Sequence, residues 1–442
     1  MVGSDIKKIF FCFKLKKNNI PWFKFLFISL IGIGLTLPER NLRSQDFLDA
    51  RGLGLAGSHL AITEGTEFVG GNPATLAKRR SFNFELHLIS AHLMLKNNSY
   101  SLKDYDRYFT TGDTLTSADI DKLFDQIPDD GLQADADIGL KTFSLYTYPF
   151  GLSIYGLAGG YANVPKEPLQ LPFYGNKVLR KIRLNDLDGE AWAAVAVQIG
   201  IAFPLTQYFS EHFDFVAIGL APKYLFGVQY AGIESASGQF ITEDTYFLAD
   251  GHLEAKTSKG GRGLGIDLGF LAEYREKWTF SLNFSNLLGS IRWKSENEQY
   301  LFDFESDTIR VNDLDSLETN EIDTTYSIGD FSTGLPRVMT FATAFQYRPN
   351  LIFTAAWRQG VNKSLGNFTK PLISVGTEYR PVRALPLRMG MAVGGRNGFA
   401  LGLGGGIDLN YWQLNIGYLN HNFRWFRSAR SIELAVTTQF RF

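Results

Sequence analysis

The chain has 442 residues and a single cysteine, Cys12. That cysteine lies upstream of an export segment, so the mature chain is expected to hold no disulfide and no thiolate metal site. Methionine is scarce, at five residues, and the six histidines (His59, His87, His92, His212, His252, His421) lack the paired spacing of an HExxH zinc helix. Charge of one sign is missing as well: 44 basic and 45 acidic residues leave a net charge of -1 and a sequence pI near 6.6. A near-neutral chain offers no basic footprint for nucleic acid and no acidic excess of the kind that keeps a chain unfolded. Long hydrophobic runs are absent too. The run Phe25–Leu37 covers 13 residues, fewer than the ~20 that a membrane-crossing helix requires. A mean hydropathy of -0.08 is likewise too low for a bundle of such helices.

Aromatics and glycine are abundant: 37 Phe, 19 Tyr and 7 Trp make 14% of the chain, beside 44 Gly. The last twelve residues, SIELAVTTQFRF, show how they are arranged. Ile432, Leu434, Val436, Thr438, Phe440 and Phe442 fall on one face of a strand, and Glu433, Ala435, Thr437, Gln439 and Arg441 on the other. A strand greasy on one side, wet on the other and ending on an aromatic terminus suits a transmembrane barrel. At the other end of the chain, Lys14, Lys16, Lys17 and Lys24 precede the Phe25–Leu37 run. A basic segment followed by a 7–15-residue apolar run reads as a secretory signal. Cleavage is expected near Ser44–Gln45, and no cysteine follows the run to suggest a lipid anchor.

Segments of alternating pattern recur from Ser81–Leu95 to Arg430–Phe442, about 14 in all, an even number as a barrel requires. Trp278, Phe280, Leu282 and Phe284 alternate with Thr279, Ser281 and Asn283; Leu387, Met389, Met391 and Val393 alternate with Arg388, Gly390 and Ala392. The second member of each set is small or polar, the reverse of a soluble sandwich, which buries its larger apolar residues. His252–Arg275 reads as one strand. Short turns (Tyr148–Pro149, Glu276, Pro349–Asn350, Pro381–Leu385, Asn410–Tyr411) alternate with long loops (Lys96–Ala136, Val164–Gly189, Tyr230–Gly251, Lys294–Leu335), as in barrels with short periplasmic turns and long outer loops. The first long loop is expected to hold a helix capped by Ser117, which precedes ADIDKLFDQI, with Asp119 and Asp121 in its first turn. Ile241–Phe247 is expected as a strand of an extra hairpin above the wall.

Gly52, Gly54 and Gly57 form a literal GxGxxG within RGLGLAG. A dinucleotide site needs a strand before it, a helix after it and an acidic residue about 20 positions on. Here the motif follows an export leader, and NPATLAKRR stands where the carboxylate is due. The stretch Ala50–Ala77 resembles instead the N-terminal segment of the long-chain fatty acid transporter (FadL-like) superfamily of outer-membrane barrels, through Gly52, Gly54, Gly57, Ala61, Asn72, Pro73, Ala74 and Leu76. The resemblance implies a 14-stranded barrel whose N-terminal segment folds into the lumen as a hatch. A lumen of this width exceeds what its own side chains fill, and Pro73 restricts Asn72 to extended geometry, free to bond wall groups. The alternative is that Asn72–Pro73 is only a turn before the first strand. The same resemblance makes Gly156, Gly159 and Gly160 candidates for a kink in the third strand that opens a side window. Small lumen-facing residues beside the hatch are the other reading. Arg262, Arg358, Arg380 and Arg388 either bind an anionic head group in the lumen or pair with Asp267, Glu378 or Asp408. Ser58–His59 lacks a third group for acyl hydrolysis, and no enzyme is expected.

The expected architecture is therefore all-β: an approximately 14-stranded antiparallel transmembrane β-barrel, with residues 1–44 as signal peptide, 45–80 as hatch and 81–442 as barrel. Phe440 and Phe442 are the candidate signal for the barrel assembly machinery. By resemblance the chain would be a channel in a Gram-negative outer membrane for passive uptake of hydrophobic or amphipathic small molecules. Membrane lipids and such a ligand would be its partners, without nucleic acid or cofactor. A non-transporting barrel acting through protein partners and an open porin are the alternatives.

Overall fold

The computed structural model describes residues 49–442 apart from 113, 176–179, 243–245, 311–318, 363, 367–368, 396–397 and 422–427. The expected signal peptide, with Cys12, lies outside the described residues.

Fourteen strands form the wall: β1 (Phe84–Asn97), β2 (Leu132–Thr147), β3 (Phe150–Val164), β5 (Asp188–Pro204), β6 (Phe215–Thr242), β8 (Gly260–Tyr274), β9 (Trp278–Ser295), β13 (Val338–Arg348), β14 (Leu351–Gly360), β15 (Leu372–Tyr379), β16 (Leu387–Gly394), β17 (Gly398–Leu409), β18 (Trp412–His421) and β19 (Ser431–Arg441). Each pairs antiparallel with the next along that order. The ring closes where β19 meets β1, with Ala91 opposite Val436. Closure is what makes such a sheet stable in lipid, because no edge is left with unpaired N–H and C=O groups.

Alternation sets the two faces. Ile199, Leu264, Ile373, Val393 and Ile416 all point outward and are more than half exposed. Their inward neighbours Gln198, Ser374, Ala392 and Asn415 are buried. At roughly 25 cal/mol per Å² of apolar surface, such a belt is unfavourable in water and favourable against acyl chains. Exposed Trp278, Tyr347, Tyr379 and Tyr411 crowd the short-turn end, as an interfacial girdle does.

All fourteen expected strand segments coincide with wall strands, but the long-loop end holds more structure than expected. β6 runs past the wall and turns back into β7 (Tyr246–Ser258), so His252–Arg275 is two strands rather than one. The expected strand Ile241–Phe247 straddles the tip of that hairpin instead. Lys294–Leu335, expected as loop, contains β10 (Glu298–Arg310), β11 (Thr319–Ser327) and β12 (Phe331–Gly334). With β4 (Arg180–Arg183), a sheet ordered β4–β6–β7–β10–β11 rises above the wall. Its alternation (Tyr300, Phe302 and Phe304 against Leu301, Asp303 and Glu305) is short and interrupted by acidic residues, which hid it among loop signals. Three helices flank this end: α2 (Leu102–Tyr108), α3 (Ser117–Asp125) and α4 (Lys166–Tyr174), α1 being reserved for the N-terminal Ala50–Gly54. The cap of α3 is Thr116, not Ser117: its hydroxyl accepts from the Asp119 amide while the Asp119 carboxylate answers, a reciprocal capping box.

Val375 lies mid-strand on the outward face of β15. Val375→Arg is expected to destabilise the barrel by about 2–4 kcal/mol, read from denaturant unfolding in liposomes. A midpoint equal to wild type would show that this face does not meet lipid.

Candidate functional site

Residues 49–78 fold into the barrel in four short turns. The first is α1, capped by Asp49, whose carboxylate accepts from the Gly52 amide at 2.7 Å. Three 3-10 turns follow: Ser58–Ile62, Gly65–Phe68 and Pro73–Ala77. Gly57 enters the second turn at φ 84°, a left-handed value that favours glycine. Asn72 caps the last turn, its Oδ1 accepting from the Ala74 amide at 2.8 Å. α1 lies against β16–β19, the second turn against β9 and β13–β15, the third against β1–β3 and the fourth against β5, β6 and β8. The segment thus touches every wall strand and crosses the whole lumen.

The wall is cut to receive it. A Cβ on Gly390 or Gly402 would strike the backbone of Leu53–Ala56, and one on Gly417 would strike the carbonyl of Ala50. Gly54 faces Gly404 so closely that either Cβ would lie 3.0 Å from the other's Cα. A Cβ on Gly219 would meet Pro73 and Ala74, and one on Gly269 the Asn72 amide. The Asn72 side chain donates to the Phe270 carbonyl at 2.8 Å and the Ser281 hydroxyl at 2.7 Å. Asn72–Pro73 is therefore more than a turn before β1: it is bolted to β8 and β9. Ser58 bonds the Thr354 hydroxyl at 2.6 Å and the Leu55 carbonyl at 2.8 Å, so it is committed to anchoring. The adjacent His59 ring packs on Gly52, and burial lowers its pKa to about 4.

Buried charge ties the segment down. Arg51 reaches Glu378 through Nε at 3.0 Å, Glu67 at 3.3 Å and the Ile62 carbonyl at 2.9 Å. Glu378 is shared with Arg388 Nε at 2.7 Å and Arg380 Nε at 3.1 Å, and Arg380 continues to Asp408 at 2.8 Å. Glu64 and Glu85 grip Arg441 at 3.3 and 2.6 Å, and Glu85 accepts from the Thr66 amide and hydroxyl. Lys78 pairs with Glu273. Of the arginines expected to face the lumen, Arg380 and Arg388 do so and are paired with carboxylates. Arg262 does not: it is exposed on the outward face that also carries Leu264. Asp267 pairs with Lys223 at 2.9 Å rather than with an arginine.

Above the segment, Trp192, Tyr230, Trp293, Leu335 and Leu365 join Phe68 and Leu76 in one buried cluster. Tyr230 stacks near Trp293 and Phe331, each at 5.4 Å between ring centroids, and its hydroxyl donates to Glu190 at 3.0 Å. The lumen is packed on this side from bottom to top.

A different space opens beside it. An apolar cavity of about 560 Å³ lies at the long-loop end, lined by Leu132, Ala191, Ala231, Leu253 and Phe302 and roofed by Pro168 and Leu169 of α4. Ala191 shares a face with Val195 and Ile199, and Leu132 with Ile138 and Leu140. The cavity therefore borders the outward, lipid-side face of the wall's rim and not the lumen. Sequence patterning missed it because the roofing connection carries no periodic signal.

Gly156, Gly159 and Gly160 sit in β3, which pairs with β5 without a register shift from Phe150 to Asn163. On its other edge the shift falls between Lys141 and Phe143 of β2. The three glycines thus lie in a continuous stretch of pairing on the β5 side. The largest break in the wall lies at β9, where Ser285, Asn286 and Leu287 stand opposite Asp267 alone. Phe440 and Phe442 point outward at the short-turn end, where the Phe442 backbone pairs with Phe84. Among the described residues, no group of three or more His, Cys, Asp or Glu side chains is placed to hold a metal.

A closed antiparallel ring of fourteen strands, apolar outside and polar within, defines a transmembrane β-barrel. The chain belongs to the family described as "Family of unknown function (DUF5723)", whose model matches residues 73–418. No curated protein matches it in sequence. Among solved structures it is similar to the TodX deltaS2S3 mutant monoaromatic hydrocarbon channel, at 11% identity and TM-score 0.54, covering 90% of this chain and 100% of that one. The CymD monoaromatic hydrocarbon channel follows at 9% identity and TM-score 0.52, covering 90% and 99%. A Pseudomonas aeruginosa FadL homologue shows 11% identity over 92% and 100% of the two chains, at TM-score 0.47. The likeness to the TodX and CymD channels is one of fold.

Two substitutions test the seat. Gly402→Leu is expected to expel α1, making residues 49–78 protease-sensitive while the barrel still migrates as a folded species; resistance like that of wild type would disprove the fit. Glu378→Gln leaves Arg51 and Arg388 with a weakened buried partner and is expected to cost about 3–5 kcal/mol. An unchanged unfolding midpoint would show that the network contributes nothing.

Proposed function

We propose that this chain is an outer-membrane channel of a Gram-negative cell that takes up hydrophobic or amphipathic small molecules without energy coupling. The observation that carries the reading is the apolar cavity at the long-loop end, set beside a lumen crossed by a separate N-terminal segment. Apolar concavities of 300–1,000 Å³ are the usual size for small-molecule sites. A molecule that partitions into the outer surface would collect there by area burial alone. Residues 49–78 would act as the hatch, held by the Arg51–Glu378 and Asn72–Ser281 contacts and displaced on passage. Residues 1–44 would be the signal peptide, and the aromatic end at Phe440 and Phe442 the feature read by the barrel assembly machinery. The titles of the similar structures name monoaromatic hydrocarbons as those channels' cargo; here the cargo class is set only by the cavity's apolarity.

A second reading, a sealed barrel working through protein partners, draws on one observation: the buried cluster Trp192–Tyr230–Trp293–Leu335 fills the lumen above the segment. Flux separates the two. Proteoliposomes are expected to accumulate a labelled apolar compound faster than protein-free vesicles, and Ala191→Trp, which fills the cavity, to weaken its binding at least roughly tenfold, or 1.4 kcal/mol. Vesicles no more permeable than controls would favour the sealed barrel.

A further inference from the structure

Ser235, His252 and Asp303 come from three adjacent strands of the upper sheet. His252 Nδ1 lies 2.6 Å from Asp303 Oδ1, and His252 Nε2 lies 3.1 Å from Ser235 Oγ. With Nδ1–H directed at the carboxylate, Nε2 is the free lone pair and the serine hydroxyl donates to it. This is the order of contacts that turns a serine into a nucleophile: base on the hydroxyl, carboxylate behind the base. Glu254 Oε2 also approaches the same hydroxyl, at a longer 3.4 Å.

The backbone supports the placement. Ile233 pairs with Ala255 and Ser235 with Glu254, so Glu234 is an extra residue and Ser235 follows a β-bulge. Bulges re-aim side chains and leave backbone groups outside the ladder. Between Gly232, opposite Glu190, and Gln239, opposite Arg183, β6 has no strand partner on its other edge among the described residues. The imidazole and the carboxylate are 36% and 39% exposed, open enough for an ester to enter. Next to the triad in sequence, Ala236, Leu253 and Phe302 line the apolar cavity.

We propose that Ser235, His252 and Asp303 form an esterase site on the outer sheet, acting on esters whose acyl part is apolar. Ser235 Oγ attacks the ester carbonyl carbon and its proton passes to His252 Nε2. The carbon–oxygen bond to the alcohol breaks, and the alcohol leaves with that proton. Water then gives a proton to His252 Nε2 and attacks the acyl-serine carbon; the bond from that carbon to Ser235 Oγ breaks, His252 returns the proton to Oγ, and the carboxylic acid leaves. Asp303 is a positioning residue that holds the tautomer. The activity goes beyond the transport reading and does not depend on it, since hydrolysis and flux are measured apart.

The test uses the full-length protein in detergent micelles. Diisopropyl fluorophosphate is expected to leave its mass adduct on the Ser235 peptide, and p-nitrophenyl butyrate to be cleaved faster than in protein-free micelles. Ser235→Ala and His252→Gln should each lower kcat/KM by about 10²-fold or more. Asp303→Asn should lower kcat more than it raises KM and shift the pH–rate profile, which loss of a merely structural contact would not do. All three lie above the wall, so heat-dependent gel migration confirms that each variant still forms a barrel. An unlabelled Ser235, or Ser235→Ala as active as wild type, overturns the proposal, even if flux of apolar compounds is intact.

Discussion

Every backbone N–H and C=O inside a bilayer must find a partner within the protein, because hydrocarbon offers none. The rest of this molecule depends on that constraint. It forces the fourteen strands into a ring closed by β1 on β19 and leaves the outer face to side chains that lipid tolerates. It also creates a second problem, since a ring of this size encloses more space than its own inward side chains fill. Where the segment sits, the inward face is small, with glycine at Gly390, Gly402, Gly404 and Gly417, so the wall cannot fill that space itself. The chain brings its own N-terminal segment in instead.

The seating of that segment shows steric and electrostatic specificity acting together. Removing side chains from the wall lets two backbones approach, and the approach brings Arg51 within reach of Glu378. A buried pair contributes net stability only when its remaining donors and acceptors are satisfied. Here the Ile62 carbonyl, Glu67 and Arg388 provide that satisfaction. Asn72 plays the same part on the opposite wall without charge, spending its donors on Phe270 and Ser281. Contacts of this kind fix register and position more than they add bulk stability.

At the long-loop end the constraint relaxes, because strands that clear the bilayer pair as in any soluble sheet. β6 uses that freedom to run on, bend at Glu234 and support a sheet of its own. The apolar cavity and the Ser235–His252–Asp303 contacts both arise there, with His252 at the cavity's border, on strands that no longer have to separate lipid from lumen. Both features thus gather on the part of the molecule least burdened by membrane rules.

By itself the sequence determined the wall. Period-two alternation from Phe84 to Arg441 is enforced by lipid on one side, and a pattern with a physical enforcer is readable residue by residue. The glycines at residues 52–57 and Asn72–Pro73 were legible as a separate segment through their resemblance to a known superfamily, not through any period of their own. Only the tertiary structure decided what those residues touch: Gly54 meets Gly404, and Arg51 meets Glu378, across more than three hundred residues of chain. The same holds for β3, whose glycines carry no register information of their own, so its pairing with β2 and β5 is set only when the strands meet. Ser235, His252 and Asp303 lie on three separate strands, so no local pattern joins them; adjacency across a sheet is a property of register, and register exists only once the strands have paired.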